Sequence, residues 1–113
     1  MPEQHPHEPG EITLPRVLAA LSDPTRMGIV RILADGREHG WGQLRAPVAK
    51  STLSHHLKIL REAGITRTRQ EGTRCYVTLR REELDDRFPD LTRALLSAAH
   101  AEDVGDHVTE VEA

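Results

Sequence analysis

The sequence predicts a mainly α-helical domain carrying a single β-hairpin, and three observations lead there. Apolar residues recur at helical spacing from Ile12 to Leu33, from Leu53 to Leu60 and from Leu91 to Ala98. The spacing switches to two across residues 65–79, on either side of Glu71-Gly72, a compact turn signal. The charge is divided along the chain. Ten Lys or Arg stand against four acids between Asp35 and Arg81, although all 113 residues together carry a net charge of −3.

Residues 1–11 hold three prolines, a glycine and scattered polar groups, and are expected to form a flexible arm. The folded domain then spans 12–101. A first helix begins at Ile12, with Leu14, Val17, Leu18 and Leu21 on one side. Asp23 suits an N-cap and Pro24 the first position of a second helix, which carries Met27, Ile29, Val30, Ile32 and Leu33 and ends near Asp35-Gly36. Gly40-Trp41-Gly42 reads as a short extended piece with Trp41 as a packing residue. Gln43–Ala46 reads as one or two helical turns ended by Pro47.

A strong helix follows from Lys50 to Ala63, with Gly64 as its C-cap signal. Leu53, Leu57 and Leu60 face the core, and Ser51, Ser54, His55, Lys58 and Glu62 form the opposite face. Strands at 65–70 and 73–79 make the hairpin, with Cys75, Val77 and Leu79 alternating on one face. The stretch RREELDDRF reads as a connector, and Pro89 opens a last helix with Leu91, Leu95 and Ala98 on one side. Residues 102–113 are acidic and aperiodic and read as a disordered tail. This order is a winged helix-turn-helix flanked by N- and C-terminal helices.

With one Trp, one Tyr and one Phe, the core must be aliphatic. A domain this small gains from pairing with a second copy, and the apolar faces holding Leu14, Leu18, Leu91 and Leu95 predict a homodimer through the flanking helices. The single cysteine, Cys75, excludes an intrachain disulfide and fits a reducing, cytoplasmic compartment. No apolar run approaches the ~18–20 residues that span a bilayer, and the N-terminus lacks the parts of a secretion signal. There is no glycine-rich phosphate loop and no nucleophile beside a base. The acidic pairs Glu82-Glu83 and Asp85-Asp86 fall in the connector. The chain therefore reads as neither an enzyme nor a protein requiring a cofactor.

A helix that enters the major groove needs small or extended polar side chains near its N-terminus, an apolar back and cations alongside. The segment AKSTLSHHLKILREAG supplies all three. Ser51, Thr52, Ser54 and His55 suit base edges, and Lys50 and Lys58 suit phosphates. Arg67, Arg69 and Arg74 surround the hairpin turn and suit a wing lying on the backbone or minor groove. Either element alone is an ordinary solvated surface; their adjacency within one basic segment predicts a partner in double-stranded DNA. A winged helix reused purely for protein interaction is the rival, and would be expected to lose the polar helix face and the basic wing.

LAALSDPTRMGIVRIL, STLSHHLKILREAGI and RQEGTRCYVTL together resemble the ArsR (ArsR/SmtB) family of winged-helix regulators over residues 14–80. The resemblance implies a homodimer that binds a palindromic operator, usually as a repressor relieved by a signal. Gly40-Trp41-Gly42 stands where many metal-sensing relatives carry Cys-x-Cys, so that thiolate site is absent. The family's second site pairs Asp-x-His with His-x-x-Glu. Asp-x-His is missing from the last helix, whereas His100, Asp103, His107 and Glu110 keep the other half. These four are candidates for a Ni²⁺ or Zn²⁺ effector across a dimer, weighed against an ordinary solvated face. Ser51 is expected to cap the recognition helix, since Ala49 occupies the position where the family often has Ser or Thr.

Overall fold

Two helices with proline in their first turn open the fold. Helix α1 (Leu14–Leu21) has Pro15 in its first turn, and α2 (Pro24–Leu33) begins on Pro24, where the missing N–H is not needed. The Asp23 carboxylate caps α2 by accepting from the Arg26 N–H at 3.0 Å. The computed structural model describes residues 8–112. Of the arm expected over 1–11, residues 1–7 therefore lie outside the described residues, while Gly10 is tied down, its N–H donating to the Arg61 carbonyl at 2.8 Å.

After α2 come β1 (His39–Gly40), a single 3₁₀ turn (Trp41–Gln43) and β2 (Leu44–Arg45). This reverses the expected order, in which 40–42 is extended and 43–46 helical. Pro47 leaves too little chain for an α-helix there, and Leu44, 1% exposed, is drawn into the core as part of a strand. Trp41 packs against the core as expected.

Helix α3 (Lys50–Glu62) leads into the hairpin of β3 (Thr66–Glu71) and β4 (Arg74–Leu79). The register pairs Glu71 with Arg74 and Thr66 with Leu79, so the loop is Gly72-Thr73. Gly72 has φ +59°, the conformation a tight two-residue loop demands. Strand β4 lies between β1 and β3 in an antiparallel sheet. The chain ends with α4 (Arg81–Arg87), α5 (Leu91–Ala101) and β5 (Thr109–Glu110), and β5 pairs antiparallel with β2. Among the described residues, five α-helices and a hairpin wing make this a winged helix-turn-helix.

The core is aliphatic. Val17 from α1, Ile29, Val30 and Leu33 from α2, Leu57 and Leu60 from α3, and Val77 and Leu79 from β4 form one cluster. Two segments read as unstructured are part of it. The connector RREELDDRF is helical because Leu84 is buried and Phe88, one turn on, packs beside it. Arg80 pairs with Glu83 and Arg81 with Asp85 on its outer side.

The stretch expected to be a disordered tail also folds back, over residues 102–112. Gly105 lies against Gly28 of α2 so closely that a Cβ on Gly28 would sit 2.5 Å from the Gly105 carbonyl. Val108 is buried, and Thr25 Oγ1 and His107 Nε2 share a hydrogen bond of 2.8 Å. Arg31 donates to the Val104 carbonyl and to Asp106 at 2.8 and 2.7 Å. The acidic composition that suggested disorder is used on the outer side, while the glycine and valine face inward.

His39, only 6% exposed, bridges the ends of this arrangement. Its Nδ1 meets Glu110 of β5, and its Nε2 meets both Asp35 oxygens at 2.9 and 3.1 Å. Burial works against the charged ring, but the hydrogen bonds to Asp35 and Glu110 outweigh it and raise the His39 pKa above 6.5. A raised imidazole pKa stabilises the fold fully below the unfolded value and ceases to do so as pH climbs through the folded value. His56, whose pKa burial lowers, acts in the opposite sense, so the informative quantity is a difference between variants. His39→Gln is predicted to cost about 1–3 kcal/mol near pH 6, with the gap from wild type narrowing as the pH rises above the ordinary imidazole range. Thermal melts of both proteins over that rise in pH check this. A gap that widens with pH would show that His39 does not bridge the carboxylates as an imidazolium.

Candidate nucleic-acid interface

The face that α3 turns outward follows from the one it buries. Leu57 and Leu60 are fully inside, and Leu53, His56 and Ile59 flank them half-buried. Lys50, Ser51, Thr52, Ser54, His55 and Lys58 are all exposed, so every helix residue singled out from the sequence as DNA-facing lies on open surface. Ser51, His55, Lys58 and Glu62 run along one face, with Ser54 beside them.

The start of α3 differs from expectation. The helix begins at Lys50 with Ala49 at the cap position and no side chain capping it. Ser51 is therefore inside the first turn rather than capping it. Ala49 itself is extended, at φ −62° and ψ 152°, so Lys50 is the first helical residue. The first-turn N–H groups consequently point outward without a side-chain acceptor, the arrangement that favours an anion such as a phosphate.

A polar knot behind α3 joins it to the two helices before it. Arg26 donates through Nε to the Ala20 carbonyl at 2.6 Å and lies 3.2 Å from His56 Nδ1 through Nη1. His56 Nδ1 is also 3.8 Å from Asp23. Three helices are joined here. Desolvation, only partly opposed by Asp23, holds the His56 pKa below its ordinary value.

The three wing arginines differ from one another. Arg74 stands at the hairpin tip, exposed and with no ion-pair partner among the described residues. Arg67 is exposed and only loosely paired with Glu83, at 3.7 Å. Arg69 is engaged. Its Nε and Nη2 grip both oxygens of Glu38 at 2.9 and 2.7 Å, Nη1 reaches Glu71 at 3.3 Å, and the guanidinium lies 4.6 Å from the Tyr76 ring centre. Those hydrogen bonds hold the Glu38 carboxyl below its ordinary pKa and raise that of Arg69. Within the chain, Arg69 braces the wing against the segment before β1.

The four candidate metal ligands do not converge. His100 Nδ1 lies 3.1 Å from Arg31, His107 bonds Thr25, Glu110 bonds His39, and Asp103 is exposed in a turn at φ +55°. Among the described residues no three His, Cys, Asp or Glu side chains are grouped to hold a metal ion. Within one chain, His100, His107 and Glu110 each have a different partner.

On the flanking helices, Leu14 and Leu18 are 43% and 45% exposed and Leu91 and Leu95 are half-buried. The chain thus carries an apolar surface that its own core does not cover. No helix among the described residues is long and apolar enough to cross a membrane.

Known proteins agree with this arrangement. A family profile described as a helix-turn-helix domain matches residues 21–69, from the end of α1 into β3. An uncharacterized HTH-type transcriptional regulator of Bacillus subtilis, YceK, is 36% identical over 83 residues, covering 71% of this chain and 83% of its own. A second uncharacterized HTH-type transcriptional regulator, from Methanocaldococcus jannaschii, is 33% identical over 79 residues, 68% of this chain and 84% of its own. The biofilm growth-associated repressor of Agrobacterium fabrum is 36% identical over 90 residues, 69% of this chain and 76% of its own. The crystal structure of Rv0081 from M. tuberculosis shares the fold with a TM-score of 0.54 at 21% identity, over 77% of this chain and 88% of that one. With the fold, the outward polar face of its third helix and relatives that it matches over most of their length, the chain belongs to the helix-turn-helix transcriptional regulators.

Proposed function

We propose that two copies of the chain bind one palindromic duplex site, each laying the N-terminal half of α3 in a major groove. The observation that carries this reading is the row of exposed polar residues on α3, from Lys50 to Lys58, beside first-turn N–H groups that have no side-chain acceptor. Ser51, Thr52, Ser54 and His55 meet base edges, and Lys50 and Lys58 meet phosphates. On the wing, Arg74 and Arg67 follow the backbone or the minor groove, while Arg69 keeps the wing upright through Glu38. The uncovered leucines of α1 and α5 form the dimer interface, which places two α3 helices on one face of the duplex. The motif resemblance to ArsR-type regulators and a cytoplasmic location belong with this reading. The repressor named among the relatives favours repression over activation.

Two measurements test it. In sedimentation or light scattering, the wild type is expected to be a dimer at micromolar concentration, and Leu18→Glu or Leu95→Glu a folded monomer; a monomeric wild type would remove the dimer from the account. For DNA, a duplex selected by the wild type from a random pool is titrated at several salt concentrations beside a scrambled duplex. Ser54→Ala or His55→Ala is expected to lose about 1–3 kcal/mol on the selected duplex and little on the scrambled one. Arg74→Ala is expected to weaken both and to lower the salt slope by about one counterion. Equal losses on both duplexes from the α3 changes would contradict base reading by that helix.

A further inference from the structure

The segment that delivers the chain into α3 has little structure of its own. Between Gly40 and Lys50 there is one 3₁₀ turn and a two-residue strand. Such a strand holds no position alone, because a pair of isolated strands is at best marginal. Its partner is β5, from the C-terminus, with Leu44 opposite Glu110 and Arg45 opposite Thr109. The pairing continues in the Val111 N–H, which donates to the Gln43 carbonyl at 2.8 Å. The link from β2 to α3 is stiff. Pro47 restricts both itself and Ala46, and the Val48 N–H closes a tight turn onto the Ala46 carbonyl at 2.8 Å.

The strand β5 is in turn held by contacts outside the DNA-facing surface. Gly105 is seated against Gly28, Val108 is buried, His107 meets Thr25, and Glu110 meets His39. We infer that residues 102–111 act as a strap that positions the recognition helix, fixing the start of α3 through the β5–β2 pairing without touching DNA. This rests on the DNA-binding reading above and extends it to a segment outside the helix-turn-helix match, which ends at residue 69. Glu110 and Gly105 are positioning residues in this sense. A displaced strap leaves Leu44 and the link before Lys50 without a fixed partner, so α3 would present its side chains at variable depth.

Two variants of the full chain dislodge the strap in different ways. In Gly105→Ala the new Cβ meets the Gly28 Cα at 2.3 Å, at a position whose φ of +82° already disfavours a side chain. Glu110→Gln keeps the shape but removes the charge facing His39. Glu112→Gln, exposed beyond the strap, is the control. Amide hydrogen exchange is read together with affinity for the duplex selected by the wild type. Both strap variants are expected to exchange about tenfold faster at residues 43–46, 53–54 and 111, with β3 and β4 unchanged. Their affinity for the duplex should fall about tenfold with an unaltered salt slope, because no phosphate contact is lost.

Unchanged exchange before α3 would overturn the inference, as would accelerated exchange with undiminished affinity. So would equal acceleration in β3 and β4, which would mark Gly105 and Glu110 as general stability residues. A wild type that selects no duplex would count against the DNA-binding reading itself, and the exchange measurement would still decide whether the strap holds the start of α3.

Discussion

Leu57 and Leu60 sit fully inside the aliphatic cluster made with Ile29, Val30 and Leu33, and almost everything proposed for the surface depends on that burial. A helix has only one way to place both leucines against α2, and that rotation turns Ser51, Ser54, His55 and Lys58 to solvent. Replacing either leucine by alanine would cost about 2–5 kcal/mol, a large share of what a domain of this size has. The core has little aromatic surface to compensate, so the leucines that hold α3 also determine what it displays.

Burial fixes the rotation of α3 but not its tilt or its starting point, which fall to polar contacts. Asp23, Arg26 and His56 tie α3 to the junction of α1 and α2 from behind. At its N-terminal end, β2 and its C-terminal partner hold the entry to the helix. The wing has its own brace in the two-point grip of Arg69 on Glu38, backed by Tyr76. Such charge-assisted contacts are geometrically specific even where exposure leaves them with little net energy. Their contribution here is orientation.

Periodicity was enough to read the elements whose burial is strictly patterned. The helices at 24–33 and 50–62, the switch to strands and the inward set of Val77 and Leu79 all follow from spacing. The helix-face residues from Lys50 to Lys58 were legible for the same reason, since they are what remains once the leucines are buried. The misreadings share a cause. The 3₁₀ turn at Trp41–Gln43, the helix at Arg81–Arg87 and the fold-back of 102–112 depend on partners distant in sequence, which a local window does not contain. Glu110 has such a distant partner too. Four residues ending at it match a metal-ligand spacing, yet its carboxylate meets His39, 71 positions earlier in the chain. A local reading likewise counts the charge of Arg69 but not the Glu38 that pairs with it.

The central claim is that the N-terminal half of α3 and the tip of the wing form the DNA-facing surface while α1 and α5 face a second copy. Backbone amide shifts of the protein, followed by NMR as duplex DNA is added, test it most directly. The largest changes are expected on residues 50–58 and 72–74, with Leu14, Leu18, Leu91 and Leu95 unmoved. Changes centred on those four leucines, with α3 silent, would contradict it.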